Sequence, residues 1–275
     1  IYAEATAAMP DVIPPMPVDF SLLFNNLGFG SIEAMGISSK EIEPGIYANR
    51  SVALLNGDLT GLFALYGTKS TPATSFKAAE MAPADATGAM SGQLDLTALR
   101  DTASSVMTQV MGPMGKGMID QQLQFTVPGT DIKVDEVIVA LSGHWDIFWQ
   151  ESYDESFMPS YKGWLELKGA AGLIERLKPL AADEEMGIMV KETENGLIAD
   201  FSGLGLDEGV TGLFIETDRK NDTVRVYTDK DWGPESEGPR LSSTEAYKSL
   251  AGKLPKKALL YAYTGGYDLD ALFNE

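Results

Sequence analysis

His144 is the only histidine in the chain, so any imidazole chemistry must run through it. The run from Val137 to Trp149 reads as one long strand whose odd positions, Val137, Val139, Leu141, Trp145, Ile147 and Trp149, are apolar. Strand alternation then gathers Ser142, His144 and Asp146 on the opposite face, three residue types that a hydrolytic triad also uses. Spacing argues against a triad, because Cα atoms two apart in a strand lie roughly 6.5–7 Å from one another. Working triad partners must come within about 2.6–3.2 Å. Nor does the sequence contain a Gly-x-Ser-x-Gly elbow. His144 therefore reads as an ordinary half-exposed side chain.

Aromatic residues crowd the next segment: Trp145, Phe148, Trp149, Tyr153, Phe157, Tyr161 and Trp164, beside Glu151, Asp154 and Glu155. An exposed aromatic row stacks on sugar rings while carboxylates bind hydroxyls, which makes Trp145, Trp149 and Tyr153 the candidate ligand-binding residues. Large rings also bury well, so packing is the competing role for the same residues. Met107, Met111, Met114 and Met118 share one helical face and read as core filling, with Gly112-Pro113 as the break. Asp229, Asp231, Glu235 and Glu237 imitate a calcium loop, but positions six and twelve fall on Pro234 and Arg240, where an EF-hand needs Gly and Glu. Gly112 to Gly117 lacks the phosphate-loop spacing, and Gly203-Leu204-Gly205 follows no βαβ pattern. No catalytic residue, metal site or cofactor is expected from these motifs.

Asp19, Asp95 and Asp268 each precede an apolar helical pattern. An Asp there accepts hydrogen bonds from the orphan N–H groups of the first turn, so all three read as helix caps. The elements around them alternate irregularly. A short helix opens at Asp19 and ends near Gly28, and three β-rich runs lie between Ile32 and Tyr66, separated by Pro44-Gly45 and Asn56-Gly57-Asp58. Ser70-Thr71-Pro72 starts a helix, Ala86 to Leu94 is a strand, and Asp95 begins a helix through Met111. Gly163 to Lys168 is a strand that leads to a helix near 170–178. Two hairpins follow, one around Asn195-Gly196 and one around Asp218 to Asp222, and Ser242-Ser243-Thr244-Glu245 is a capping box.

Two echoes suggest a tandem duplication. Thr60-Gly61-Leu62-Phe63 recurs as Thr211-Gly212-Leu213-Phe214, and Asp95-Leu96-Thr97-Ala98-Leu99 as Asp268-Leu269-Asp270-Ala271-Leu272. Pro83 and Pro255 precede the Asp motifs at nearly equal spacing. The resulting expectation is an α+β fold, with antiparallel sheets and helices packed on one face, internally duplicated. Its parts are an extended leader over 1–18, a first unit over 19–94, connecting elements over 95–169, and a second unit over 170–275 enlarged by the hairpin 212–238.

Composition bounds the functions. With 40 acidic and 21 basic residues the net charge is −19, a field that repels nucleic-acid backbones and anionic lipid surfaces. The absence of cysteine excludes disulfides, thiolate nucleophiles and sulfur-ligated metals. No apolar run approaches the length of a spanning helix, so no transmembrane segment is expected.

The stretch Gly36-Ile37-Ser38-Ser39, then Pro44-Gly45-Ile46-Tyr47-Ala48-Asn49-Arg50-Ser51, Thr60-Gly61-Leu62-Phe63 and Met81-Ala82-Pro83-Ala84-Asp85-Ala86 resembles a family of uncharacterised exported bacterial proteins. Leu254-Pro255-Lys256-Lys257-Ala258 is similar to a recurrent strand lead-in of that family. The resemblance covers roughly residues 19–110 and 245–275, and it implies export to the periplasm, envelope or exterior and an α+β repeat. It implies no catalytic residue. The functional expectation is a non-catalytic binding or structural module with a protein, peptide or glycan partner; the alternative is a glycan-active protein using the 145–164 aromatics.

Overall fold

The structure, a computed structural model, describes residues 19–43, 46–55, 59–67, 71–153, 159–178, 188–204, 210, 212–252 and 258–265. Its helices are α1 (Phe20–Asn26), α2 (Lys77–Met81), α3 (Leu96–Met111), α4 (Pro113–Leu123), α5 (Val134–Ala140), α6 (Ala171–Arg176) and α7 (Glu245–Ala251). A separate ribbon pairs β1 (Ile32–Glu43) with β2 (Ile46–Leu55). The main sheet contains β3 (Gly88–Leu94), β4 (Gly143–Tyr153), β5 (Pro159–Lys168), β6 (Met189–Thr193), β7 (Gly196–Asp200), β8 (Phe214–Asp218), β9 (Thr223–Tyr227) and β10 (Leu260–Thr264). All its neighbours are antiparallel, in the order β10-β3-β4-β5-β9-β8-β7-β6. The antiparallel α+β architecture expected from the sequence is what the chain forms, and its helices are distributed over both faces of the sheet.

Register fixes what each face carries, because residues directly opposite one another point to the same side. Ser91 faces Asp146, Asp146 faces Glu166, Glu166 faces Arg225 and Arg225 faces Glu216, so one polar row crosses five strands. Two residues along, on the same side, run Ala89, Phe148, Trp164, Tyr227 and Phe214. We call this the row face. Here α2 lies flat on the sheet through Ala78 and Ala79, which are buried with Phe76, Phe148, Trp232, Leu241 and Tyr261 in the larger core. The other face carries Leu167 and Val224, covered by Ala170 and Ala171 at the start of α6, with Leu141, Trp145 and Ile174 packed around them. Such alternation, with both faces covered in part, is the packing an antiparallel sheet adopts when helices sit on each side.

Asp95 caps α3 as expected, its carboxylate accepting from the Thr97 backbone N–H at 3.0 Å and from the Thr97 hydroxyl. Asp19 caps α1 in the same way, accepting from the N–H groups of Ser21 and Leu22 at 2.9 and 3.2 Å. Asp268 lies outside the described residues, as do the leader 1–18, Pro44-Gly45 and Asn56-Gly57-Asp58. Replacing Asp95 by Ala should cost about 1 kcal/mol. The melting temperature should then fall by roughly 2–4 °C; an unchanged melting curve would contradict the cap.

Several expectations shift. The strand expected from Val137 begins only at Gly143, because residues 134–140 coil into α5. Val134, Val137, Ile138 and Leu141 also satisfy helical spacing, and Glu136 accepts from the Lys133 N–H at 3.1 Å to close the first turn. Ser142 is thereby removed from the strand. Its hydroxyl donates to the Ile138 carbonyl and accepts from the Leu96 N–H, tying the end of α5 to the start of α3.

The helix expected at Ser70-Thr71-Pro72 starts at Lys77, because Thr74 is held extended by its N–H to the Ala258 carbonyl. The capping Thr of α7 is Thr244, which accepts from the Tyr247 N–H, two residues past the expected Ser242. Gly112, at φ +63°, separates α3 from α4, so the Met face is not continuous. Met114 and Met118 are exposed, which corrects the core-filling reading of that stripe.

The two TGLF echoes differ in conformation. Gly61 enters a 3₁₀ helix over Gly61–Tyr66 at φ +57°, a left-handed value, with no room for a side chain against Leu27. Phe214 opens β8 and pairs with Tyr227. Internal duplication is not shown by this fold.

Candidate functional site

The row face builds the site. Ser91, fully buried at 0% exposure, accepts from the Ala78 N–H at 2.8 Å and so satisfies an orphan donor in the first turn of α2. The same hydroxyl donates to Asp146 Oδ1 at 2.7 Å. Asp146 Oδ2 meets His144 Nε2 at 3.0 Å and lies 3.6 Å from Lys77 Nζ, while His144 Nδ1 stands 3.4 Å from Thr74 Oγ1. Asp146 is therefore the hub of the cluster, at 1% exposure.

Burial alone would push the Asp146 carboxyl up. Hydrogen bonds from His144 and Ser91, with the charges of His144 and Lys77, outweigh that and hold it below the usual carboxylate range. Lys77 responds in the opposite direction: burial would lower it, but Glu166 and Asp146 raise it above its ordinary value.

His144 and Asp146 do meet, contrary to the spacing argument. Cα separation limits the backbone, whereas two side chains on one face can lean together. A relay still does not form, because the carboxylate stands between the imidazole and Ser91, and Ser91 donates to it from a buried position. Ser142 sits elsewhere, at the helix ends. The hydroxyl that does meet the imidazole is that of Thr74, whose Oγ1 lies 3.4 Å from His144 Nδ1 and donates to the Ser75 carbonyl at 3.2 Å, so its proton is turned away from the ring.

The row continues as ion pairs. Lys77 Nζ reaches Glu166 Oε1 at 2.7 Å, Arg225 Nε donates to Glu166 Oε2 at 3.2 Å, and Arg225 Nη1 lies 3.6 Å from Glu216 Oε1. Glu166 thus spends both oxygens on cations. The aromatic ladder beside it is continuous: Phe148 and Trp164 are stacked at 6.0 Å, Trp164 and Tyr227 at 5.0 Å, and Tyr227 and Phe214 at 5.3 Å. Trp164 and Tyr227 each spend both ring faces on their neighbours along the ladder, so their positive edges are what remain. Burial, followed by the charge of Glu216, pushes the Tyr227 phenol up.

Where the two rows run side by side, a pocket of about 400 Å³ opens. Its walls are Trp164 and Glu166 of β5, Glu216 of β8, Arg225 and Tyr227 of β9, Lys77 and Met81 of α2, and Lys230, Gly233, Pro234, Glu235 and Ser236 of the loop after β9. Lys230 stands 4.1 Å above the Phe214 ring and 3.7 Å from Asp200, and Gly233 packs directly on the six-membered ring of Trp164. The Trp164 indole N–H is buried without a hydrogen-bond partner. A buried donor left unpaired costs free energy.

A larger groove, near 910 Å³, lies between α1, α3 and α4 and is lined by Leu22, Arg100, Ser104, Gln109, Lys116 and Asp135 among others. Its cations are already matched on the surface, Arg100 with Asp101 and Asp135 and Lys116 with Asp120. Exposed pairs of this kind contribute little and hold no unspent buried donor.

The aromatic candidates divide. Trp145 and Trp149 occupy the face opposite Trp164; Trp145 packs beside Leu167 and donates to the Leu141 carbonyl at 3.2 Å, and Trp149 lies over Gly88. Tyr153 pairs in register with Pro159 at the end of β4, and its side chain lies outside the described residues. The residues that sequence reasoning missed carry a legible signal. Asp146-x-Phe148, Trp164-x-Glu166, Phe214-x-Glu216 and Arg225-x-Tyr227 all place an aromatic and a charged residue on one strand face.

Among the described residues no group of three or more His, Asp or Glu side chains is arranged to hold a metal ion, and no helix is long and apolar enough to cross a membrane. Comparison of the chain with protein-family models, curated proteins and solved structures finds no match.

Proposed function

We propose that this chain is a non-catalytic binding module whose ligand is a small polar molecule seated in the row-face pocket. The observation that carries the reading is the pocket itself, where a half-buried ion-pair row and an aromatic ladder converge on a volume within the range of ligand sites. The engagement of the hydroxyls favours binding over chemistry: Ser91 is buried and spent, Thr74 beside His144 donates to the Ser75 carbonyl, and Asp146 and Glu166 are each compensated by cations. The setting we propose is outside the cytoplasm, on the strength of the family resemblance carried by Gly36 to Ser51 and Met81 to Ala86.

A glycan remains a ligand class for this pocket rather than for Trp145 and Trp149. The aromatic and carboxylate lining favours it, but with the Trp164 and Tyr227 faces occupied a sugar would be held by hydrogen bonds and not by stacking. A thermal-shift screen of metabolites and oligosaccharides tests the reading. Ligands should raise the melting temperature of the native protein and lose that effect in Gly233→Leu, whose side chain projects against Trp164 at the pocket wall. A binder whose effect survives in Gly233→Leu, or a screen without any binder, would overturn it.

A further inference from the structure

The pocket is lined by three cations, Lys77, Arg225 and Lys230, beside three carboxylates, Glu166, Glu216 and Glu235, and the cations are unequally engaged. Glu166 has both oxygens engaged, by Lys77 and by Arg225. Arg225 uses only Nε in a hydrogen bond; Nη1 is 3.6 Å from Glu216, beyond hydrogen-bond reach, and Nη2 has no partner among the described residues. Lys230 is held by charge alone, 3.7 Å from Asp200 and over the Phe214 ring. The buried Trp164 N–H has no partner either. Aromatic edges, which are the positive rim of the ring, complete the lining. In a chain of net charge −19, a pocket whose three cations balance its three carboxylates is locally neutral and so stands against the general field.

Resting on the pocket reading above, we propose that the ligand carries a carboxylate, received by the free end of the Arg225 guanidinium and by the Lys230 ammonium. Arginine suits this because its planar fork offers two parallel N–H groups to a carboxylate. Glu166, fixed on the other edge of the same guanidinium, holds that fork in place. The volume of about 400 Å³ admits a monosaccharide acid, a dicarboxylic acid or a peptide C-terminus.

Isothermal titration with matched pairs tests the assignment: D-glucuronate against D-glucose, succinate against succinamide, and N-acetylalanine against its amide, all at low ionic strength. At least one acid should bind tenfold or more tightly than its neutral partner. Arg225→Gln should weaken that acid roughly 10- to 100-fold, the loss of a charge-assisted hydrogen bond. Lys230 is exposed and its ammonium sits over the Phe214 ring rather than in the packed interior, so Lys230→Gln should stay folded and lose affinity severalfold even if Arg225→Gln does not fold. Acids that bind no better than their neutral partners, or that do not bind at all, would overturn the carboxylate assignment. A neutral partner that binds and is blocked by Gly233→Leu would leave the pocket reading standing while removing this inference.

Discussion

Replacing Asp146 by alanine should destabilise the protein by about 3–5 kcal/mol, the cost of taking one member out of a buried, mutually compensated polar cluster. Three groups lose their partner at once: the Ser91 hydroxyl, the His144 ring and part of the Lys77 charge. Ser91 is fully buried and still accepts from α2, so its freed proton has no water to turn to. The melting temperature should fall by roughly 6–20 °C in a chain of this length. Asp146→Asn, which keeps the shape and one acceptor, should cost less. Equal stability of Asp146→Ala and native protein in a denaturant titration would contradict the hub.

The same group sets an acid limit. Folded Asp146 holds its proton less tightly than it does in the unfolded chain. Its contribution is therefore complete above the ordinary aspartate value of about 3.9 and is lost as pH falls through the lower folded value. Lys77 contributes with the opposite sign, fully below its ordinary value of about 10.4 and lost as pH rises through the raised folded value. Lys77 is more than a third exposed, so solvent screens its share and the acid limb should be the steeper. Melting temperatures recorded across pH should show that limb flattened in Asp146→Asn.

Phe148→Ala should cost about 3–5 kcal/mol, the range for deleting a buried phenylalanine and leaving a cavity. Phe148 is fully buried and joins Trp164 at 6.0 Å to Trp232 at 5.4 Å. Its removal frees one face of Trp164 and takes away the ring on which the loop residue Trp232 rests, so the pocket wall should loosen together with the core. Near-ultraviolet circular dichroism should lose amplitude as the denaturation midpoint falls. A cost below about 1 kcal/mol would mean that the neighbours close over the gap with no loss of packing, against the close-packed ladder described here.

The sequence made short-range features readable and long-range ones not. Asp95 and the apolar pattern after it announced the helix ending at Met111, and alternation announced the strands around Gly163 to Lys168 and the two hairpins of the second half. Each of these is decided by neighbours along the chain. Residues 134–141 were ambiguous because a β-branched run satisfies strand and helix periods alike, and a first-turn hydrogen bond from Lys133 to Glu136 decided it. Thr60 to Phe63 and Thr211 to Phe214 share letters, but Gly61 closes against Leu27 while Phe214 pairs with Tyr227, contacts that no local pattern reports.

The polar row follows the same logic. Asp146, Glu166, Arg225 and Glu216 lie far apart along the chain, and only the strand order β4-β5-β9-β8 lines them up. The candidate aromatics Trp145 and Trp149 stand out by density in the sequence, whereas alternation places Trp164 on the opposite face from both.

The central claim is that a ligand enters where the charged row meets the ladder, beside Trp164. Four indole N–H resonances report on it directly in a ¹H–¹⁵N spectrum, one for each tryptophan. On titration with a ligand found by the screen, the Trp164 resonance should move most, because its ring lines the pocket, while Trp145, on the opposite face and bonded to the Leu141 carbonyl, should stay in place. Movement of Trp145 and Trp149 with Trp164 unchanged would put the ligand on the opposite face and contradict the account.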